Sequence, residues 1–220
     1  MPRFHTFFFD LDGTLTDPAL GITSSLQRGL EACGIEPPPR EALTRFIGPP
    51  LDETFSGAFG MDADGIRRAT AGFRAYFAER GIFENVLYPG VPEMLSSLRE
   101  AGATLCIATS KPEEFAVRIA EHFGIARYFT RIAGAAMDET RTNKAEVIAY
   151  LEDGIGLSSP EGVLMIGDRR HDVTGARARG IPTVGVLYGY GSEEELRGAG
   201  AFALAATVGE LSRLLHSFLK

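Results

Sequence analysis

The sequence predicts an α/β fold: a doubly wound parallel sheet covered by helices on both faces and interrupted near its start by an inserted α-helical domain. Three observations predict it. From Val91 onward, short apolar runs alternate with amphipathic segments of helical period, the pattern of parallel strands joined by crossover helices. Those runs are continuously apolar rather than alternating, as befits strands buried on both faces. Between about Asp17 and Phe83 the helical pattern continues without a convincing strand.

The elements follow in chain order. The first strand is carried by the apolar run Phe4 to Phe9, where His5-Thr6-Phe7-Phe8-Phe9 are aromatic or strand-compatible, and runs on into Asp10-Leu11-Asp12 until Gly13 ends it before Thr14. Side chains two apart on an extended chain share a face, so Asp10 and Asp12 are expected to face one site. Two unpaired carboxylates that close repel each other and cost desolvation, which points to a cation or a reaction that uses them. Gly13 leaves the backbone free to turn sharply. In the insertion, Leu20, Leu26, Leu30 and Cys33 suit one helix that stops at Gly34 before Pro37-Pro38-Pro39. Further helices are expected over 40–46, 51–59 and 63–80. Between the second and third of the four, Phe46-Ile47-Gly48-Pro49-Pro50-Leu51 reads as a rigid turn able to reach over a substrate. Asn85, Pro89 and Gly90 mark the return to the sheet. The domains are therefore 1–16 with 84–220 for the sheet and 17–83 for the helical insertion. Later strands are expected over 104–108, 129–133, 163–166 and 183–187, with a weaker one at 201–204. Helices are expected over 92–101, 112–123, 143–153, 172–179, 193–197 and 208–218, several of them opening on Pro or a polar cap.

Composition excludes several functions. Hydrophobic residues at 45% and charged residues at 23% describe a soluble globular chain, long enough to bury roughly 70% of its extended-chain surface. The net charge of −7 would repel a nucleic-acid polymer. Cys33 and Cys106 stand alone at a spacing that matches no zinc or redox motif, so a reduced cytoplasmic compartment is expected. The apolar run Phe7 to Phe9 gives way at once to Asp10 and Asp12, which fits neither a signal peptide nor a membrane span. Only Lys111, Lys144 and Lys220 are lysines among 22 basic residues. Each internal lysine thus becomes a candidate position for a compact ammonium in place of a planar guanidinium. No segment marks an interface between copies of the chain.

In open parallel sheets the ligand sits beyond the carboxyl ends of the strands. Here the first strand ends in Asp10 and Asp12, the second in Thr109-Ser110-Lys111, and the fourth in Gly167-Asp168 with Asp172 four residues on; Lys144 opens the helix after the third. Carboxylates, hydroxyls, a helix N-terminus and a lysine together suit a hard divalent cation and a phosphate. Lys111, just before Pro112, reads equally as a solvated residue at a helix start. Arg169, Arg170 and His171 flank the acidic positions, and Tyr188-Gly189-Tyr190-Gly191 reads as a flexible loop near the site, without dinucleotide-fingerprint spacing.

Those four motifs in that order resemble the haloacid dehalogenase (HAD) superfamily of phosphotransferases, and the resemblance covers essentially the whole chain. It implies a Rossmann-like core, and the insertion looks like the type-one cap of the phosphoglycolate phosphatase and nucleotidase-like branch. The resemblance further implies an Mg²⁺-dependent phosphatase acting on a small phosphate monoester, phosphoglycolate-like or a nucleoside monophosphate, with cap movement excluding water in the first step. Asp10 is then the nucleophile that becomes a phospho-aspartate, and Asp12 the acid and base. Thr109, the Ser110 amide and Lys144 bind the phosphoryl oxygens, while Asp10, the Asp12 carbonyl and Asp168 hold Mg²⁺ with support from Asp172. An Asp at position 12 favours phosphate esters over dehalogenation. The partner expected is a small phosphorylated metabolite, with neither nucleic acid nor membrane. Two alternatives are a phosphosugar mutase, which would pass the phosphoryl group to a second hydroxyl, and a non-catalytic phospholigand-binding module.

Overall fold

A computed structural model of the chain describes residues 3–138 and 140–219. The chain divides into two compact units, Pro18–Val86 and the remainder, Met1–Asp17 with Leu87–Lys220. Two-residue strands, β2 (Thr16–Asp17) and β3 (Val86–Leu87), lie where the chain passes from one unit to the other.

In the larger unit a six-stranded sheet has the order β5-β4-β1-β6-β7-β8, built from β1 (Thr6–Phe9), β4 (Thr104–Pro112), β5 (Arg131–Ala135), β6 (Val163–Gly167), β7 (Thr183–Val186) and β8 (Ala203–Ala205). Every pairing in it is parallel. Because β1 lies between β4 and β6, with Phe9 opposite Ile107 on one side and Ile166 on the other, all four of its residues are buried. That explains the run of three phenylalanines: a central strand needs apolar side chains on both faces. Phe8 enters a cluster with Cys106, Met165, Val147 and Leu151. Phe9 on the opposite face meets Phe129 at 6.3 Å between ring centroids.

The helices of this unit are α5 (Val91–Glu100), α6 (Glu113–His122), α7 (Lys144–Gly154), α8 (Arg170–Ala178), α9 (Glu193–Ala199) and α10 (Val208–Leu219); those of the smaller unit are α1 (Ala19–Ala32), α2 (Arg40–Leu43), α3 (Leu51–Phe59) and α4 (Ala63–Tyr76). From β1 the chain builds β4 and then β5 on one side, and returns to lay β6 on the other side of β1. The reversal opens the crevice of a doubly wound sheet at the carboxyl ends of β4, β1 and β6.

In the smaller unit, Leu26 and Leu30 of α1, Phe55 of α3 and Ala69 of α4 are fully buried. The expected helix over 40–46 is one α-helical turn followed by a 3₁₀ turn, Thr44–Phe46. The one expected over 63–80 stops at Tyr76 and widens into a π turn, Phe77–Gly81. There the Gly81 carbonyl lies so close to Gly21 of α1 that no side chain fits at position 21. Apolar side chains near the 46–51 turn serve this unit's own packing: Ile47 is fully buried and the Phe46 and Phe59 rings lie 5.7 Å apart.

Replacing Phe8 by Ala empties the cluster shared by β1, β4, β6 and α7, and is expected to cost about 3–5 kcal/mol. Urea unfolding monitored by far-UV circular dichroism checks this, with a lower midpoint at unchanged slope as the expected result.

Candidate active site

The strand β1 stops at Phe9, one residue before the first aspartate, instead of running through Asp12. Asp10 still joins the ladder through its N–H, which donates to the Ile166 carbonyl at 2.8 Å. The chain then wraps around Leu11, whose carbonyl accepts from the amides of Thr14, Leu15 and Thr16. Gly13 supplies the positive φ of 81° that this turn requires. Around this turn Asp10 and Asp12 each meet a lysine.

Asp10 Oδ1 accepts from the Lys144 ammonium at 2.7 Å, which also lies 2.8 Å from Asp172 Oδ1 and donates to the Ala108 carbonyl at 2.9 Å. Asp12 Oδ2 lies 2.8 Å from the Lys111 ammonium. Each aspartate is thus ion-paired to an internal lysine, and Lys111 is buried against Asp12 rather than solvated. The lysine bias was the signal for it, since a chain that uses arginine almost everywhere places its two internal lysines against the two aspartates.

Local structure explains the placement. Asn143 caps α7 by accepting the Glu146 amide at 3.0 Å, while Glu146 accepts the Asn143 amide at 3.2 Å, a reciprocal capping box. Lys144 therefore sits in the first turn of α7 and is buried, 4% exposed. Thr109 is buried at the end of β4, where its hydroxyl accepts the Lys111 amide at 3.2 Å, and Ser110 lies between the two. Asp172, fully buried near the start of α8, accepts the Arg169 amide at 3.0 Å with the oxygen that does not face Lys144. It is both a cap and a partner of the lysine. Arg169 pairs with Glu195 of α9 at 3.0 Å.

Asp168 follows β6 and is fully buried. Its Oδ2 accepts the Tyr190 amide at 2.7 Å, and its Oδ1 has no hydrogen-bond partner. The Tyr188-Gly189-Tyr190-Gly191 segment, expected as a loop near the site, is tied into it by these contacts. Tyr188 donates to the Thr14 carbonyl at 3.0 Å, Tyr190 donates its hydroxyl to Asp17, and Gly189 and Gly191 pack against Asp168 with no room for a side chain. The sequence signal was the alternation itself: glycines where the backbone touches Asp168, tyrosines where a hydroxyl reaches a distant acceptor.

Electrostatics follow from burial. Desolvation raises the Asp12 carboxyl despite Lys111, and the nearby Asp10 adds to the rise. Burial raises Asp168 well above the usual carboxylate range, with Asp172 and Asp10 adding to it. Burial against the partial offset of Lys144 brings Asp172 to about 6. Burial opposes the Lys144 ammonium, yet Asp10 and Asp172 outweigh it and hold the proton more firmly than usual. Oxygens of Asp10, Asp168 and Asp172 lie within 4.8 Å of one another. A buried carboxylate oxygen without a donor is costly. The orphaned Asp168 Oδ1 beside Asp10 thus fits a hard divalent cation, and Asp172, ion-paired to Lys144 through Oδ1, is the third carboxylate of the cluster.

The model of the haloacid dehalogenase-like hydrolase family matches residues 7–186, which takes in every one of these groups. The chain belongs to this family. It is 45% identical over 215 residues to a protein of Pseudomonas aeruginosa named 5'-nucleotidase, covering 98% of this chain and 97% of that one. It is 42% identical over 209 residues to a Mycobacterium tuberculosis protein named tyrosine-protein kinase PtkA, covering 94% of this chain and 71% of that one. Among solved structures, a predicted phosphatase from Clostridium acetobutylicum superposes with a TM-score of 0.94 at 40% identity, covering 98% of this chain and 99% of that one. Among the described residues of this HAD hydrolase, no helix is long and apolar enough to cross a membrane.

Replacing Lys144 by Met leaves Asp10 and Asp172 buried without their cation and is expected to cost about 3–5 kcal/mol near neutral pH. A carboxyl whose folded pKa lies above its unfolded value contributes stability at low pH that is lost as pH rises through the folded value. Asp172 is already such a group, so the deficit of the variant should shrink on acidification. Urea midpoints measured at acidic and neutral pH check this; an equal deficit at both would contradict it.

Proposed function

We propose that this HAD hydrolase is an Mg²⁺-dependent phosphatase that hydrolyses a small phosphate monoester through a phospho-aspartate on Asp10. The observation that carries the reading is the pair of aspartates at the end of β1, each held by its own lysine, beside a buried Asp168 with one oxygen unpartnered. Asp10 is held by Lys144 through Oδ1, and its other oxygen attacks phosphorus as the bond to the ester oxygen breaks. Asp12, raised by burial, keeps a proton to donate to that leaving oxygen. In the second half, Asp12 takes a proton from the water that attacks the phosphorylated Asp10, and phosphate leaves with the carboxylate restored. Thr109, the Ser110 amide and Lys144 bind the phosphoryl oxygens, whose charge spreads in the transition state. Asp10, the Asp12 carbonyl and Asp168 hold Mg²⁺, and Asp172 supports them through Lys144 and the Arg169 amide. When bound, the cation screens the carboxylate nucleophile from the like-charged phosphate.

The P. aeruginosa relative's name supports nucleoside 5'-monophosphates as the first substrate class to test, ahead of phosphoglycolate and sugar phosphates. The kinase name of the mycobacterial relative supports a second reading in which a hydroxyl, instead of water, accepts the phosphoryl group from Asp10. The two free thiols, Cys33 and Cys106, support a reducing cytoplasmic setting.

Phosphate release measured with and without Mg²⁺ across that panel is expected to be metal-dependent and abolished by Asp10→Asn. Normal release by the variant would remove Asp10 from the reaction. Product analysis separates the two acceptors, since free phosphate marks water and a phosphorylated product without free phosphate marks a hydroxyl. Mg²⁺ should also raise the thermal midpoint of the wild type and leave that of Asp168→Asn unmoved.

A further inference from the structure

The end of β4 is not a regular strand. Ala108 pairs with Ala133 and Pro112 with Ala135, so Thr109, Ser110 and Lys111 together stand opposite the single residue Gly134 of β5. The extra residues form a bulge, which re-aims side chains and leaves ladder groups without strand partners. Here the orphaned groups are satisfied by side chains. The Gly134 amide donates to Glu113 Oε2 at 3.2 Å, and Arg141 Nε donates to the Gly134 carbonyl at 2.7 Å. Arg141 Nη2 closes the triangle on the same Glu113 oxygen at 3.3 Å, and the guanidinium lies 3.7 Å from the Tyr150 ring centroid. No side chain fits at position 134, because a Cβ there would stand 2.5 Å from the Lys111 carbonyl and 2.6 Å from Glu113 Cα.

Glu113 is two residues from Lys111, and Arg141 is three residues from Lys144. One ion pair, seated on one glycine, therefore ties the segment that presents the first site lysine to the segment that presents the second. We propose that Glu113, Gly134 and Arg141 form a bracket that sets the spacing of Lys111 and Lys144, and with it the alignment of the Asp12 and Asp10 carboxylates. Glu113 and Arg141 are positioning residues: they act through the lysines and touch none of the reacting groups. The bracket explains why the bulge can exist at a sheet edge, and why arginine, with its planar fork, stands at 141 where lysine stands at 144. A guanidinium can bond a carbonyl and a carboxylate at once while stacking on a ring.

The inference rests on the phosphatase reading for its kinetic arm only. Wild type, Arg141→Ala, Glu113→Gln, the double variant and Arg141→Lys are compared on p-nitrophenyl phosphate with Mg²⁺. In parallel, the acetylation rates of Lys111 and Lys144 are followed by peptide mass spectrometry without substrate. Expected are a fall in kcat of ~10-fold or more with KM little changed in both single variants, and a double variant no worse than either single one, as for two parts of one device. Arg141→Lys should recover part of kcat. Lys111, whose side chain is 6% exposed, should acetylate faster in both single variants. Wild-type kcat in Arg141→Ala, or Lys111 acetylation unchanged in it, would overturn the bracket. A wild type that releases no phosphate would defeat the phosphatase reading alone, and the acetylation rates would still decide the bracket. Arg141 and Glu113 are partly exposed, at 19% and 33%, so neither substitution opens a core cavity; Glu113→Gln also keeps the side chain's shape.

Discussion

The structure of the sheet-bearing unit depends on how a crowd of carboxylates is kept buried at the end of a central strand. Asp10, Asp168 and Asp172 converge within a few ångströms, and Asp12 lies close by. In an apolar interior such a cluster would refuse to ionise. The Lys144 ammonium resolves much of the conflict, because it lies between Asp10 and Asp172 and is itself anchored on the Ala108 carbonyl. Breaking a buried pair of this kind leaves an uncompensated charge, which is why the arrangement holds only as a whole. What Lys144 does not neutralise is Asp168, whose unpartnered oxygen leaves a place for a cation beside the nucleophile candidate.

Precision at the site is built from rigid backbone rather than from the site residues themselves. The acidic and basic groups leave the end of a strand or the first turn of a helix, and these termini are held: Asp168 by the Tyr190 amide from a distant segment, Asp172 by the Arg169 amide at its own helix start, and Lys144 by the Asn143–Glu146 capping box. The Tyr188 to Gly191 segment illustrates the principle. Its glycines let the backbone lie against Asp168, while its tyrosine hydroxyls reach back to Thr14 and Asp17 on the chain leaving β1. Two loops far apart in sequence therefore hold one carboxylate between them.

Much of this was legible in the chain because strand ends and helix starts leave local marks. Three consecutive phenylalanines require a central strand, Asn143 with Glu146 requires a helix start, and a Gly-Asp after an apolar run requires a site at a strand end. Boundaries were less legible where tertiary contact decides them. The expected first strand ran into the aspartates, yet the chain curls at Leu11 because three amides converge on one carbonyl. The 63–80 helix was expected to be uniform, yet it widens where Gly81 meets Gly21. The second strand continues to Pro112 through a bulge that no period-two pattern reveals.

By itself the sequence determined the order of elements, the inserted helical unit and the set of residues at the carboxyl ends of the strands, since each of these is written in periodicity and composition over a few neighbouring positions. Tertiary structure alone decided which groups pair. Lys144 meets an aspartate 134 positions away, Lys111 meets Asp12, and Tyr190 donates its amide to Asp168. Charge pairing depends on distances of about 3 Å in space, and those distances are set by strand order and by a bulge, which a pattern over neighbouring positions does not fix. Asp10 and Asp12 announce themselves in the first twelve residues; the two lysines that make them tolerable are chosen by the fold.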